Sequence, residues 1–206
     1  MFDINREIVV KIPSPEGYKA ATLRFPSDAE WTERVGKQKT VIRSLGRGSS
    51  ETQVMNAEEV DAELFEKILV SDGTEFDQAE ASAAIQRLAR ADAGEAEREG
   101  NVFRIPLSVP GCDTVHFLRM PSQKQVNSYR KAAVRVIDGR HGRQELKVSL
   151  LPSAELYDAL MAQPPSEEAT GTQAYAGDHI PIIHKAAVVA ELLQALRAEE
   201  EDLGNV

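Results

Sequence analysis

The sequence predicts an α+β protein built as two tandem copies of one small unit, residues 1–98 and 99–206. Each unit is expected to hold an antiparallel β-hairpin, joined by a third short strand, with about three helices packed on it. Three observations carry this expectation. The chain repeats itself at a nearly constant offset. Each copy sets a proline and a helix-capping serine directly after a strand pattern. The charge runs through the same order of signs twice.

The repeat is legible letter by letter. VVKIPS at 9–14 returns as VFRIPL at 102–107, pairing Val9 with Val102, Ile12 with Ile105 and Pro13 with Pro106 at an offset of 93. LRFPS at 23–27 returns as LRMPS at 118–122 at an offset of 95, the two extra residues fitting a longer loop. At that offset Val41 and Ile42 fall on Val136 and Ile137, and LFEKIL at 64–69 resembles LYDALM at 156–161. Residues 1–23 are neutral, 24–54 carry +2 and 55–99 carry −9; residues 100–118 are neutral, 119–148 carry +6 and 149–206 carry −8. Self-similarity at a fixed period is the mark of an internal repeat.

Each unit opens with a strand, VVKIP or VFRIP, a turn containing proline and glycine, and a second strand ending in L-R-x-P-S. Proline lacks the N–H a ladder needs and biases its predecessor to extended geometry, so it closes this strand. Ser27 and Ser122 then stand at N-cap positions, and Glu30 completes the spacing of a capping box with Ser27. In the helix that follows, Trp31, Val35, Ile42 and Leu45 recur at helical spacing, as do Val126, Tyr129, Ala133, Val136 and Ile137 in the second copy. Glycines stop both helices, Gly46 and Gly48 in one, Gly139 and Gly142 in the other. The extended stretches ETQVM and ELKVSLL supply the third strand of each hairpin sheet. Helices are expected over Ala57–Val70, Asp77–Ala91, Ser153–Met161 and Ile182–Glu201. The Pro-, Gly- and Ser-rich run at 162–179 reads as a long loop that SDGTE replaces in the first unit. AGEAEREGN at 93–101 reads as the linker.

Composition bounds the function. At 206 residues and 42% hydrophobic, the chain can build a core; 28% charged residues and a mean hydropathy of −0.35 describe a well-solvated surface. With Cys112 as the single cysteine, no intramolecular disulfide and no multi-cysteine metal cage can form, which suits a reducing compartment. The amino terminus lacks the basic start and apolar run of a signal peptide, and no run of about 18 apolar residues occurs. A cytoplasmic location without a membrane span is expected. A net charge of −9 disfavours general polyanion binding.

No motif points to catalysis, to a metal or to a cofactor, and none is expected. His179 and His184, beside Asp178, are five residues apart with Pro181 between them, a spacing that puts them off a common helix face. Cys112, Asp113 and His116 have the residue types of a nucleophile, an acid and a base, yet they lie in a strand pattern where 112 and 116 share a face by alternation alone. LGRGSS at 45–50 has the glycines of a phosphate loop but neither its lysine nor its strand-to-helix setting. Arg130, Lys131, Arg135, Arg140 and Arg143 form a basic cluster suited to phosphates, to an acidic partner surface, or to the acidic half of the same chain. Arg24, Phe25, Trp31 and Arg119 are further candidate partner contacts, since aromatic and arginine side chains dominate interfaces. The alternative reading of Phe25 and Trp31 is as anchors between helix and hairpin.

The order V-x-I-P, a glycine-containing turn, L-R-x-P-S and an amphipathic helix, at residues 7–45 and again at 100–137, resembles the tail assembly chaperones of tailed bacteriophages. The resemblance implies a small cytoplasmic α+β protein without a catalytic site that binds the tape-measure protein during tail assembly. This chain departs from the family pattern in carrying two units. A structural virion subunit of the tail or head–tail connector, built from the same module and residing in the particle, is the alternative. A nucleic-acid-binding accessory protein is a third. Self-association is compatible with each.

Overall fold

A computed structural model of the chain describes residues 2–14, 17–46, 49–70, 74–138, 144–162 and 179–204. The fold is α+β. Strands β1 (Ile8–Ser14) and β2 (Gly17–Leu23) form the first hairpin, in a register running from Ile8↔Leu23 to Ser14↔Gly17. Alternation buries Val10, Ile12, Ala21 and Leu23 on one face. Helix α1 (Asp28–Lys37) starts at Ser27, whose hydroxyl accepts from the Glu30 amide while Glu30 reaches back to the Ser27 amide. The capping box read from the sequence is present.

The chain then departs from expectation. Helix α1 stops at Gln38, and the next residues form a second hairpin, β3 (Thr40–Gly46) and β4 (Ser49–Val54). Ile42 and Leu45 therefore belong to a strand. The second half repeats the correction. Helix α4 (Gln123–Ala133) leads directly into β9 (Val134–Asp138), which pairs with β10 (Gln144–Val148), so Val136 and Ile137 are strand residues. The physical reason lies in Thr40, Val41 and Ile42 and in Val134, Val136 and Ile137: β-branched side chains lose rotamer freedom in a helix and fit a pleated surface. Gly46 ends a strand of this hairpin; Gly48, Gly139 and Gly142 lie outside the described residues. ETQVM and ELKVSLL contribute β4 and β10, but to this separate sheet instead of to the first hairpin.

Helices α2 (Ala57–Ile68) and α3 (Gln78–Leu88) follow where the sequence places them. The expected linker folds instead. Strands β5 (Asp92–Ala93) and β6 (Glu97–Glu99) both pair with β7 (Val102–Val109), which forms the long hairpin with β8 (Cys112–Arg119). Strand β7 runs through Pro106, whose carbonyl still accepts from the Gly94 amide at 2.9 Å. A Cβ on Gly94 would stand 2.9 Å from the Pro106 ring, so the approach requires glycine. Helices α5 (Leu151–Leu160) and α6 (Ile182–Gly204) complete the order. No helix among the described residues is long and apolar enough to cross a membrane.

Two compact units result, and they divide the chain elsewhere than at residue 98. The first joins Ile4–Ala89 to Arg130–Ser149; the second joins Met1–Asp3, Arg90–Tyr129 and Leu150–Val206. In the first, the β1–β2 face packs with Trp31, Val60, Leu64, Phe65, Ile68, Ile85 and Leu88, all buried. Its other sheet has the order β4-β3-β10-β9, so a hairpin from late in the chain completes a sheet begun early. In the second unit Phe103, Ile105, Leu107 and Leu118 of the β7–β8 hairpin pack with Leu156, Tyr157, Leu160, Val188 and Leu192.

The order strand, strand, helix, strand, strand, helix, helix occurs twice. Individual contacts recur as well. Val70 N–H donates to Thr22 O at 2.9 Å, and Ala162 N–H to Phe117 O at 2.9 Å. Met55 N–H donates to Lys39 O at 2.8 Å, and Ser149 N–H to Ala133 O at 2.9 Å. Ser122 and Gln125 make the same reciprocal bonds as Ser27 and Glu30.

Candidate interaction surface

The four-stranded sheet of the first unit is the surface with most to offer a partner. Directly paired residues share a face, so the registers Val54↔Thr40, Thr40↔Leu146 and Leu146↔Val136 lay one row across all four strands. Ile42, Thr52, Val134 and Val148 stand on that same face. Its centre is covered: Thr40 is buried, and Ile42 and Leu146 are half-buried. Its margins are not. Val136 is 56% exposed, Val134 43%, Val148 39% and Val54 38%, and Met55 just beyond β4 is 51% exposed. Val134, Val136 and Val148 are neighbours on β9 and β10, and exposed apolar residues gathered in this way mark an interaction site, whereas Val54 stands apart at the β4 edge.

The opposite face mixes charges of both signs with Val41 and with Ile137, which is 40% exposed. Arg135 stands opposite Lys147, and Ile137 opposite Glu145; Glu145 in turn faces Val41, which faces Gln53, with Glu51 farther along β4. Arg135 is therefore one charge in a lattice of both signs. Arg130 and Lys131 are exposed in the last turn of α4. Arg140 and Arg143 lie outside the described residues.

The remaining predicted contacts separate from this surface. Phe25 and Trp31 are 5% and 0% exposed, their rings 5.9 Å apart, so both are core anchors and neither can meet a partner. The apolar area of a tryptophan is worth more inside, and the Arg34 guanidinium lies over its ring at 5.6 Å. Arg24 forks onto Glu30 at 2.8 and 2.5 Å and also donates to Lys67 O at 3.2 Å. That hydrogen bond, against a smaller opposing effect of burial and with help from Ser27, holds the Glu30 carboxyl down at about 2. Arg119, exposed, donates to Ala159 O at 3.4 Å. Both arginines tie the strand ends to a helix.

The polar residues considered for chemistry are not assembled into a reactive centre. Cys112 and His116 lie four residues apart on β8, about 13 Å along the strand. His116 is instead sealed in the second unit's core. Thr114 donates its hydroxyl to Leu107 O at 3.1 Å, so it accepts from His116 Nε2–H at 3.0 Å; His116 Nδ1 then accepts the Tyr157 hydroxyl at 2.7 Å. The imidazole is thereby neutral with a defined tautomer, and burial lowers its pKa to about 4. His184 on α6 is buried too, its ring edge-on to Phe2 at 4.9 Å; burial first, and repulsion from His116 once that ring is protonated second, bring it to about 3. His179 stands exposed ahead of α6, and Asp178 lies outside the described residues. Among the described residues, no three His, Cys, Asp or Glu side chains are grouped so as to hold a metal ion. LGRGSS runs from β3 into β4, with residues 47–48 outside the described residues, and does not precede a helix.

The first unit holds one buried ion pair that the sequence reading missed: Arg34 Nε to Asp61 Oδ1 at 2.6 Å, with Ser82 donating to Asp61 Oδ2 at 2.9 Å. In the corresponding place of the second unit stand Tyr129 and Ser153, hydroxyls 3.5 Å apart. Counted from the matched segments LRFPS with LRMPS and LFEKIL with LYDALM, Arg34 falls on Tyr129 and Asp61 on Ser153, and that joint exchange was the available signal. No protein family, curated protein or solved structure matches this chain.

Proposed function

We propose that the chain is a non-enzymatic phage assembly protein, similar to the tail assembly chaperones, that binds a tail protein of the tape-measure kind through its surface. The observation that supports this reading is the sheet face whose margins leave Val54, Val134, Val136 and Val148 open. A tape-measure protein is an elongated coiled coil, and an apolar helical stripe offers such a face its complement. The resemblance of V-x-I-P and L-R-x-P-S to the chaperone family supports the same assignment. Co-expression with the tape-measure protein of the same genome tests it: the tagged chain should retain that protein, and Val136→Lys should release it while leaving the fold intact. Failure of the unaltered chain to retain it would overturn the reading.

A structural virion subunit is the second reading, favoured by one observation, that β4 and β9 each pair with a single strand among the described residues. On that reading the chain is found in purified particles; on the first it is absent from them. A nucleic-acid role would require retention on DNA that weakens steeply with salt.

A further inference from the structure

The hairpins β3–β4 and β9–β10 meet through unlike strands, β3 against β10. Within its own hairpin, β9 occupies the place of β3, one residue earlier than the letter match that sets Val41 on Val136 and Ile42 on Ile137: Thr40↔Val54 corresponds to Val134↔Val148, Val41↔Gln53 to Arg135↔Lys147, and Ile42↔Thr52 to Val136↔Leu146. Every pairing in the sheet is antiparallel, and corresponding residues lie on the same face. One hairpin therefore passes into the other by a shift of two strands, about 9–10 Å, without inversion. Such a shift uses each half of the junction once and, among the described residues, leaves a second copy of each unused. The outer edge of β9 is the counterpart of the β3 edge, and the outer edge of β4 is the counterpart of the β10 edge.

We propose that the outer edge of β9 in one chain pairs antiparallel with the outer edge of β4 in a second copy, in the register of the β3·β10 junction. That junction sets Thr40 opposite Leu146, Val41 opposite Glu145 and Ile42 opposite Gln144. Transposed to the open edges, it sets Val134 opposite Thr52, Arg135 opposite Glu51 and Val136 opposite Ser50 of the second copy. The chemistry agrees with the transposition. Arg135 meets a carboxylate across the new junction, and directly opposed unlike charges stabilise a strand pair. Val134 and Val136 arrive on the face that already carries Thr52 and Val54, so the apolar row continues from chain to chain. Residues 51–54 and 134–137 are exposed, and neither strand carries the proline that commonly blunts an edge. Because each copy offers two different edges, the contact is heterologous, and copies add head to tail into a ring or an open filament.

This inference concerns a second copy of the chain and does not depend on the identity of a tail partner. Sedimentation velocity over a concentration series tests it. The unaltered chain should gain mass as concentration rises. Arg135→Glu and Glu51→Arg should each weaken association about tenfold, with thermal unfolding unchanged. An equimolar mixture of the two, or the double variant, should recover it because each edge again meets its opposite charge. A monomeric unaltered chain throughout the series, or single variants that associate as it does, would overturn the proposal. A second measurement fixes the register. In a Cys112→Ser background, Val134→Cys with Thr52→Cys should oxidise to a ladder of chain multiples. Val134→Cys with Glu51→Cys, whose side chains leave opposite faces, should not; equal ladders from both would equally refute the register.

Discussion

Acidification should unfold the second unit through two buried imidazoles. His116 and His184 hold pKa values of about 4 and about 3 in the folded chain, against 6.5 when exposed. Below about pH 6.5 the unfolded chain takes up a proton at each site while the folded chain does not. The contribution is complete above that value and declines as the pH falls. At pH 5 an unfolded imidazole is almost fully protonated and a folded one with a pKa of about 4 is roughly one-tenth protonated, which costs about 2 kcal/mol per site. Two sites together remove about 4 kcal/mol, a large share of the roughly 5–15 kcal/mol that holds a domain folded. Urea unfolding followed by circular dichroism from pH 7.5 to 5.0 measures the slope, above the range in which Glu30 titrates. His116→Gln lowers stability throughout, because Tyr157 and Thr114 lose their partner, and it should also remove about half of the pH slope. An unchanged slope in that variant, or the His116 or His184 imidazole titrating near 6.5 by NMR in the folded chain, would refute the reasoning.

Other expectations follow from single contacts. Asp61→Ala strands the Arg34 guanidinium in the first unit and should cost about 3–5 kcal/mol in urea unfolding. The paired exchange Arg34→Tyr with Asp61→Ser, which installs the hydroxyls of the second unit, should cost clearly less than Asp61→Ala alone. Trp31→Ala empties the centre of the first unit and should cost about 3–5 kcal/mol by the same assay. Gly94→Ala drives a methyl into the Pro106 ring and should lower the unfolding free energy by about 1–3 kcal/mol, with hydrogen exchange accelerating first at the residue 94 amide.

The mixed charges around α1 and α2 show why charge alone misleads. Lys37 bridges Glu33 at 2.9 Å and Glu63 at 2.6 Å, and Lys67 bridges Glu33 at 3.0 Å. Read along the chain, residues 55–99 look like an acidic face; in space Glu63 of that stretch is met by Lys37 one helix away, and Lys67 of the same stretch is turned to Glu33. Such exposed pairs contribute little individually. They do remove the simple picture of one acidic half awaiting a basic partner.

What the sequence determined by itself was local: the hairpins ahead of the L-R-x-P-S segments, the capping box at Ser27 and the helix start at Ser122, and the four later helices. Each depends on residues within one or two turns of each other, so side-chain pattern and backbone chemistry suffice. The tertiary structure decided what non-local pairing controls. Thr40–Gly46 and Val134–Asp138 carry apolar residues at spacings that continue the preceding helix, yet they become strands because β4 and β10 are there to complete their hydrogen bonds. Their union through β3 and β10 joins residues about a hundred positions apart. Burial decided the fate of Phe25 and Trp31, residue types that suit an interface and a core equally, and enclosure by Thr114 and Tyr157 made His116 a structural base. A strand's partner is chosen by whichever edge is within reach once the chain has folded, and no window of neighbouring letters contains that choice.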